Sequence, residues 1–575
     1  MSNVVINPYS FASEETRFVT KWTLTDPADL DVTLWAQVGG TTLFDVDWGD
    51  GATESSITAT NKSHTYGSTG TYEIKISGQF PGLDFNYSGM PSADRAKLTE
   101  LSNWGSEAEI YDLMQMFYGA VNMVYAATDA PDLSNLKAGA SARQVFTSCE
   151  SVTSLDLSGW TDTGNINAAS NTFYYTFHGM DNLESVNLTG WDTSGITSTH
   201  YCFGDAGKST ADGCVFTLPS LDFSACTKFD FMFLSSKIQT INLGSWTLRA
   251  AGATMVSFLQ AVTFKAGATY TIDLSGWSNT SGITSLNSAF RGTSGMTSLN
   301  LTGWNTSAVT TFYRMFYYCD ELTQIVGLNG LNATAATTVK EMFIGTQNLD
   351  FGAGATTNFG SNWGPNLGNC TDFHSCFYTN GNTTPGTDPP YVSNWDMSAA
   401  TTIYQMFYTC KHSGSLDVSS WDVTSLTGTG IYRAFQNNTS TSLNVSSWEL
   451  SGGITSAFES FRGSSVTALA FTDSNNDFSA VTTWYRSMYS SSVTSLTFDG
   501  SVSFAGTTTM QDMMVNTGIS TANYDALLIS LDATNNNAVV AHFGSSEYTG
   551  GGAVATARAS LVTKGWSITD GGIAP

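Results

Sequence analysis

One phrase recurs through most of this 575-residue chain and constrains its fold more than any single motif. It reads LDLSGWTDT from Leu155, VNLTGWDTSGIT from Val186, IDLSGWSNTSGIT from Ile272 and LNLTGWNTSAVT from Leu299. Later copies are LDVSSWDVTSLT from Leu416 and LNVSSWELSGGIT from Leu443. The Trp falls at Trp160, Trp191, Trp246, Trp277, Trp304, Trp395, Trp421 and Trp448, commonly about 26 to 31 residues apart, a spacing typical of solenoid repeats. The step from Trp191 to Trp246 reads as two periods with one Trp lost. A second marker keeps phase with the first: Phe117, Phe146, Phe177, Phe203, Phe233, Phe258, Phe290, Phe316, Phe343, Phe377, Phe407, Phe435 and Phe461, with degenerate copies at Tyr489 and Met514.

Each unit has a local physical reading. The L-x-L core alternates apolar and polar residues, as a short strand with one buried face does. The W-D-T-S stretch is a polar turn whose Asp and Ser can bond their own backbone. Segments before the Phe, such as TTFYRMF and TTIYQMF, space apolar residues by three and four, which predicts a short helix. One unit cannot bury its apolar face alone, so neighbours must stack. About fifteen parallel strands at roughly 4.8 Å per step predict a rod or arc about 70 Å long.

Composition narrows the partners. Charged residues are 12% of the chain, aromatics 13%, and 22 Lys and Arg face 48 Asp and Glu, a net charge of −26. Disordered chains are poor in aromatics, so disorder is excluded as the dominant state. A surface this acidic disfavours nucleic acid and anionic membranes, whose recognition rests on clustered cations. No apolar run reaches the roughly 20 residues that span a bilayer, so membrane insertion is not expected. The N-terminus MSNVVINPYSFASEETR lacks the basic start and apolar stretch of a secretory signal, and it begins with Met1.

The unit LNLTGWNTSAVTTFYRMFYYCDELTQI resembles the repeat of BspA-type leucine-rich surface proteins, which also form mycoplasma lipoprotein repeats. The resemblance covers roughly residues 95–520. It implies a leucine-rich-repeat solenoid of short parallel strands plus short helices, an adhesive surface role, and no catalytic residue. Upstream, LFDVDWGDG from Leu43 and HTYGSTGTYEIKISG from His64 are similar to the PKD family of immunoglobulin-like β-sandwiches. The expected domains are an arm over 1–16, a PKD-like β-sandwich over 17–88, a solenoid of about fifteen units over 89–520, and a small α/β cap over 521–575. In the cap, NYDALLISLDA reads as a helix with Asn523 as N-cap, AVVAHF as a strand, TARASLVTKG as a second helix ended by Gly565, and WSITDGG as a last strand.

Candidate sites are few. Asp45, Asp47 and Asp50 surround the WGDG turn and are candidate calcium ligands, with turn capping as the simpler role. His64, in the HTY strand, is expected to pack or to bond a turn. Cys149, Cys319 and Cys410 lie three residues after the marker Phe, while Cys202 and Cys376 lie just before it, as small core residues would. Disulfides remain an alternative for Cys214, Cys226 and Cys370. The run CTDFHSC from Cys370 to Cys376 lacks zinc-site spacing and a fourth ligand. Tyr174, Tyr175, Tyr313, Tyr317 and Tyr404 exceed what the repeat core needs and are candidates for a binding face.

The expected protein is therefore a non-enzymatic bacteriophage virion surface protein, a fibre, spike or head decoration presenting the repeats for host attachment. Its expected partners are other virion proteins through the arm and PKD-like domain, a host-surface glycan or protein, and a second copy of the chain. A bacterial cell-surface adhesin and a polysaccharide-binding or polysaccharide-degrading protein are the alternatives. No cofactor beyond calcium is expected.

Overall fold

The structure, a computed structural model, describes residues 15–37, 42–86, 90–168, 170–267, 269–351, 363–380, 391–412, 414–440, 442–445, 448, 453–471, 478–498 and 502–575. Most of the arm expected over 1–16 lies outside these residues. Two compact units divide the chain, Met1–Leu248 and Arg249–Pro575. Both are built mainly as a parallel β-solenoid with little helix, of about 16 turns in all.

The first unit opens with eight strands: β1 (Phe18–Leu24), β2 (Asp31–Trp35), β3 (Leu43–Asp47), β4 (Thr53–Ile57), β5 (Asn61–Thr65), β6 (Gly70–Gln79), β7 (Leu98–Asn103) and β8 (Val124–Tyr125). Six form one sheet in the order β4-β3-β6-β1-β7-β8, and β2 pairs with β5. Alternation works as the sequence implies: Ile74 and Ile76 of β6 are buried beside Phe18, Trp22, Phe44 and Phe80. Gly49 adopts φ +78° in the turn after β3, and a Cβ there would sit 2.5 Å from the Glu73 carbonyl oxygen. The sheet does not stop at residue 88. Strand β7 pairs antiparallel with β1 and parallel with β8, so the antiparallel sheet leads directly into the coils.

In the coils, equivalent residues of successive repeats face one another across parallel strands. Leu155 opposes Val186, and Val186 opposes Phe216. In the second unit, Ile272 opposes Leu299 and Leu299 opposes Ile325. In the regular repeats two side-chain turns follow the strand: Asn187 accepts from the Thr189 amide and Asp192 from that of Ser194, with Asn300 and Asn305 doing the same for Thr302 and Ser307.

Trp and Phe stack in columns. Trp277 lies 5.8 Å from Trp304 at 25°, and Trp160 lies 5.5 Å from Trp191. Phe290, Phe316, Phe343, Phe377, Phe407, Phe435 and Phe461 follow at 5.4–5.6 Å. The indole explains why Trp stands where Phe would also be apolar. Nε1 of Trp191, Trp304, Trp421 and Trp448 donates to the carbonyl of Leu157, Leu274, Val392 and Val418 in the preceding coil, at 2.8–2.9 Å. Leu221 and Leu331, both buried, take the Trp place in two coils.

The short helices expected before each Phe are not formed. Each segment is instead a run of tight turns, and the residues two before and two after the marker both have positive φ, from Gln115 and Gly119 to Asp512 and Asn516. The backbone bonding gives the reason. N–H groups of Arg314, Phe316 and Tyr318 donate to the next coil, at Lys340, Met342 and Ile344. Those of Met315, Tyr317 and Cys319 close turns three residues back. A helix would turn every amide beyond its first turn onto its own carbonyls, leaving no alternating series for a neighbour. A left-handed residue costs roughly 1–2 kcal/mol, comparable to the roughly 1–3 kcal/mol lost when a buried backbone group goes unpaired. This backbone frame also corrects two markers: Leu259 and Met488, not Phe258 and Tyr489, occupy the marker site, flanked by Ser257 and Ala261 and by Arg486 and Ser490 at positive φ.

All eight cysteines are free and buried. They are more than small apolar fillers: Sγ of Cys149, Cys319 and Cys410 reaches the marker carbonyl of the preceding coil, at Phe117, Phe290 and Phe377, at 3.1, 2.9 and 2.6 Å. Thr293 Oγ1 makes the same bond to Leu259. Burial pushes the Cys319 thiol up to about 12.

The C-terminal segment has the helices Thr521–Thr534 and Gly552–Thr563 and the strands Val540–His542 and Ser567–Thr569, which pair in parallel. Ser520, not Asn523, caps the first helix, accepting from the Asn523 amide. Ser520 precedes the helical turn and has extended ψ, as an N-cap must. No helix among the described residues is long and apolar enough to cross a membrane.

Trp304→Ala should cost about 3–5 kcal/mol, and Trp304→Phe about 1–3 kcal/mol because the Leu274 carbonyl loses its donor. Urea unfolding with amide exchange on the neighbouring coils measures both. At Thr409, φ +54°, Gly should leave stability within about 1 kcal/mol of the parent chain. Pro at Thr409 should cost about 3 kcal/mol or more, since it forbids that φ and removes the bond to Gln436.

Candidate binding face

The corners present their outward side chains in columns, and in the second unit these columns form a face of rings and guanidinium groups. The third residue before the marker gives His374, Tyr404, Tyr432, Phe458 and Tyr485, one per coil. Their centroids are 4.6, 4.7, 4.8 and 5.1 Å apart, with interplanar angles of 6°, 4°, 4° and 25°. All five are half-buried. Burial pushes the Tyr432 phenol up and holds the His374 imidazole below its ordinary value, so neither carries a charge at pH 7. The face-on stack consumes the π surfaces within the row. Edges and hydroxyls face outward, and the hydroxyls of Tyr404, Tyr432 and Tyr485 make no hydrogen bond among the described residues.

The second residue before the marker carries ion pairs from coil to coil. Arg314 meets Glu341 at 2.6 Å, Arg433 meets Glu459 at 2.7 Å and Arg486 meets Asp512 at 3.2 Å. Each guanidinium also lies over rings: Arg314 over Tyr313 and Tyr317, Arg433 over Tyr432 and Phe458, Arg486 over Tyr485 and Tyr489. In Arg314 and Arg433 the carboxylate takes Nε, and the terminal Nη groups make no hydrogen bond among the described residues. Arg291 lies over Tyr317 and Arg462 over Tyr489.

This face departs from the charge of the chain around it. Residues 270–520 hold seven Lys and Arg against sixteen Asp and Glu, a net of −9. The outward corner positions alone hold six (Arg291, Arg314, Lys340, Arg433, Arg462 and Arg486) against three (Glu341, Glu459 and Asp512), a net of +3.

The five tyrosines singled out from the sequence fall on corners. Tyr313 and Tyr317 share Arg314, and Tyr404 sits within the row of rings. In the first unit Tyr174 stacks on His200 at 5.4 Å under Arg143, while Tyr175, Tyr201 and Phe231 stack at 4.7 Å steps. Sequence reasoning missed His374, Tyr432, Phe458, Tyr485 and the arginines. Their fixed offset from the marker was the available signal.

The three candidate calcium ligands serve separate backbone groups. Asp45 accepts from the Ser56 amide, Asp47 from Gly49 and Asp50 from Ala52. Asp47 also lies 3.5 Å from Arg17, and Asp50 lies 2.8 Å from His64 Nε2, which holds the Asp50 carboxyl below its ordinary value. Among the described residues no group of three or more His, Cys, Asp or Glu is placed to hold a metal ion. His64 itself stacks on Trp48 at 4.8 Å.

Two buried positions of the second unit break the apolar rule. The fifth residue after the marker is His412 and then Ser440, where the next coils have Val466 and Val493. His412 is 4% exposed, and neither ring nitrogen has a hydrogen-bond partner, nor has Ser440 Oγ. Burial lowers the His412 imidazole to about 4.

The family described as "Mycoplasma protein of unknown function, DUF285" matches residues 86–212, 140–271, 256–355 and 355–475, together more than half of the chain. The matched residues begin between β6 and β7. No curated relative and no solved structure matches.

The unfolded imidazole titrates near 6.5 and the folded one near 4, so acid favours unfolding between those values. Stability should fall by about 3 kcal/mol from pH 7 to pH 4 through this group alone. His412→Val, matching the neighbouring coils, should flatten that part of the pH profile in denaturant titrations.

Proposed function

The chain belongs to the DUF285 family of Mycoplasma proteins of unknown function, and we propose that it is a non-enzymatic attachment scaffold on the outside of a virion or cell. The coils would hold a recognition face, and the N-terminal immunoglobulin-like region would join the chain to its particle. The observation that carries this reading is the row His374, Tyr404, Tyr432, Phe458 and Tyr485 with Arg433 and Arg486 laid against it. Tyr and Arg are the residues enriched where proteins meet partners, because they bring large contact area and several donors at small entropic cost. Here they are already ordered by stacking, so little freedom would be lost on binding. A repeated face also allows many weak contacts to act together, which raises avidity without any deep pocket.

Binding of labelled chain to a panel of bacterial and animal cells tests the proposal. Tyr432→Ala and Tyr404→Ala should each weaken capture about tenfold, as loss of a central anchor does, with melting profiles like the parent's. Full capture by both variants would defeat the reading. Incubation of the chain with captured cell-surface polysaccharide should release no reducing ends.

A further inference from the structure

We infer that the ligand of the second unit's corner face is an acidic polysaccharide, one bearing carboxylates among neutral hydroxyls; this rests on the attachment reading above. The neutral-sugar mode, in which a pyranose lies flat on an aromatic ring, is closed here. The faces of Tyr404, Tyr432 and Phe458 are covered by the rings of adjacent coils. What remains outward is a row of phenol hydroxyls beside guanidinium groups. The pairing of Glu341 with Arg314 and of Glu459 with Arg433 does not use up those guanidiniums. Glu459 has only 3% of its side chain exposed, and both acids bind at Nε. They act as orienting partners from below, which leaves each Nη pair free as a fork matched to a carboxylate.

Local charge favours an anion although the whole chain is acidic. The corner positions sum to +3 within a stretch of −9, and at physiological salt charges beyond about 8 Å are largely screened. A dense phosphate polymer would still meet the remaining acidic surface. A polymer with one carboxylate per few sugar hydroxyls would place its charges on Arg291, Arg314 and Arg433, whose Nη groups are unengaged among the described residues, and its hydroxyls on the tyrosines. An acidic peptide offers the charges but no comparable run of hydroxyls.

The test uses the full chain and immobilised polygalacturonate, its methyl ester and poly-L-glutamate. The chain should bind polygalacturonate, lose most of that binding in high salt, and bind the methyl ester at least about tenfold more weakly. Arg291→Gln, and separately Arg433→Gln, should each weaken binding about tenfold, the weight of one charge-assisted bond. Arg433→Lys should not restore it, because an ammonium lacks the fork. Lys411→Gln, which changes the one cation of the stretch lying off the outward corner positions, should bind like the parent. Arg291 makes no ion pair among the described residues, so its replacement strands no acid and keeps the test open if Arg433 variants unfold. Equal binding of the methyl ester, preference for poly-L-glutamate, or indifference to the arginine variants would overturn the inference. If those results come while Tyr432→Ala still loses cell capture, the attachment reading survives and only the ligand class falls.

Discussion

Backbone amides that reach from one coil to the next are the interaction on which everything else here depends. At each corner the chain alternates its amides, one closing a local turn and the following one bonding the neighbouring coil. That alternation requires left-handed residues at fixed places, and the chain accepts them at Tyr175, Arg314, Thr409 and Arg433 although none is glycine. The cost recurs at every corner and is offset there by bonds that a self-contained helix would not make.

Side-chain order follows from that backbone. Once successive coils are locked in register, equivalent residues must lie about one strand spacing apart. Phe meets Phe, Trp meets Trp, and an indole or thiol finds the same carbonyl in coil after coil. The outer columns obey the same geometry, so a ring at one corner stacks on the ring at the next, and Arg alternates with Glu or Asp. The candidate face is thus a consequence of register, and no loop was needed to build it. Positions where the rule relaxes, such as His412 and Ser440, buried where the next two coils have Val466 and Val493, stand out for the same reason.

Much of this is legible in the amino-acid sequence. The period, the parallel strands, the burial of Trp and Phe and the stacking of Trp277 on Trp304 all follow from a local pattern of apolar residues repeated in phase. The turns after each strand were equally legible, because Asp156 or Asn300 bonds an amide two residues away. The helices before each Phe were misread. Apolar spacing of three and four in TTFYRMF fits a helix, and it fits a run of tight turns just as well. The Tyr174, Tyr175, Tyr313, Tyr317 and Tyr404 group was found as surplus aromatics. Which of them share a column with His374 or lie against Arg314 was not readable from surplus alone.

The amino-acid order by itself determined that this chain must stack repeating coils around an aromatic core, since each unit carries its own burial pattern and none can bury it unaided. Only the tertiary structure decided how the corners turn, which coil supplies each hydrogen-bond partner, and which rings and charges become neighbours. Those contacts join residues a full repeat apart, and they exist only once two coils lie against each other.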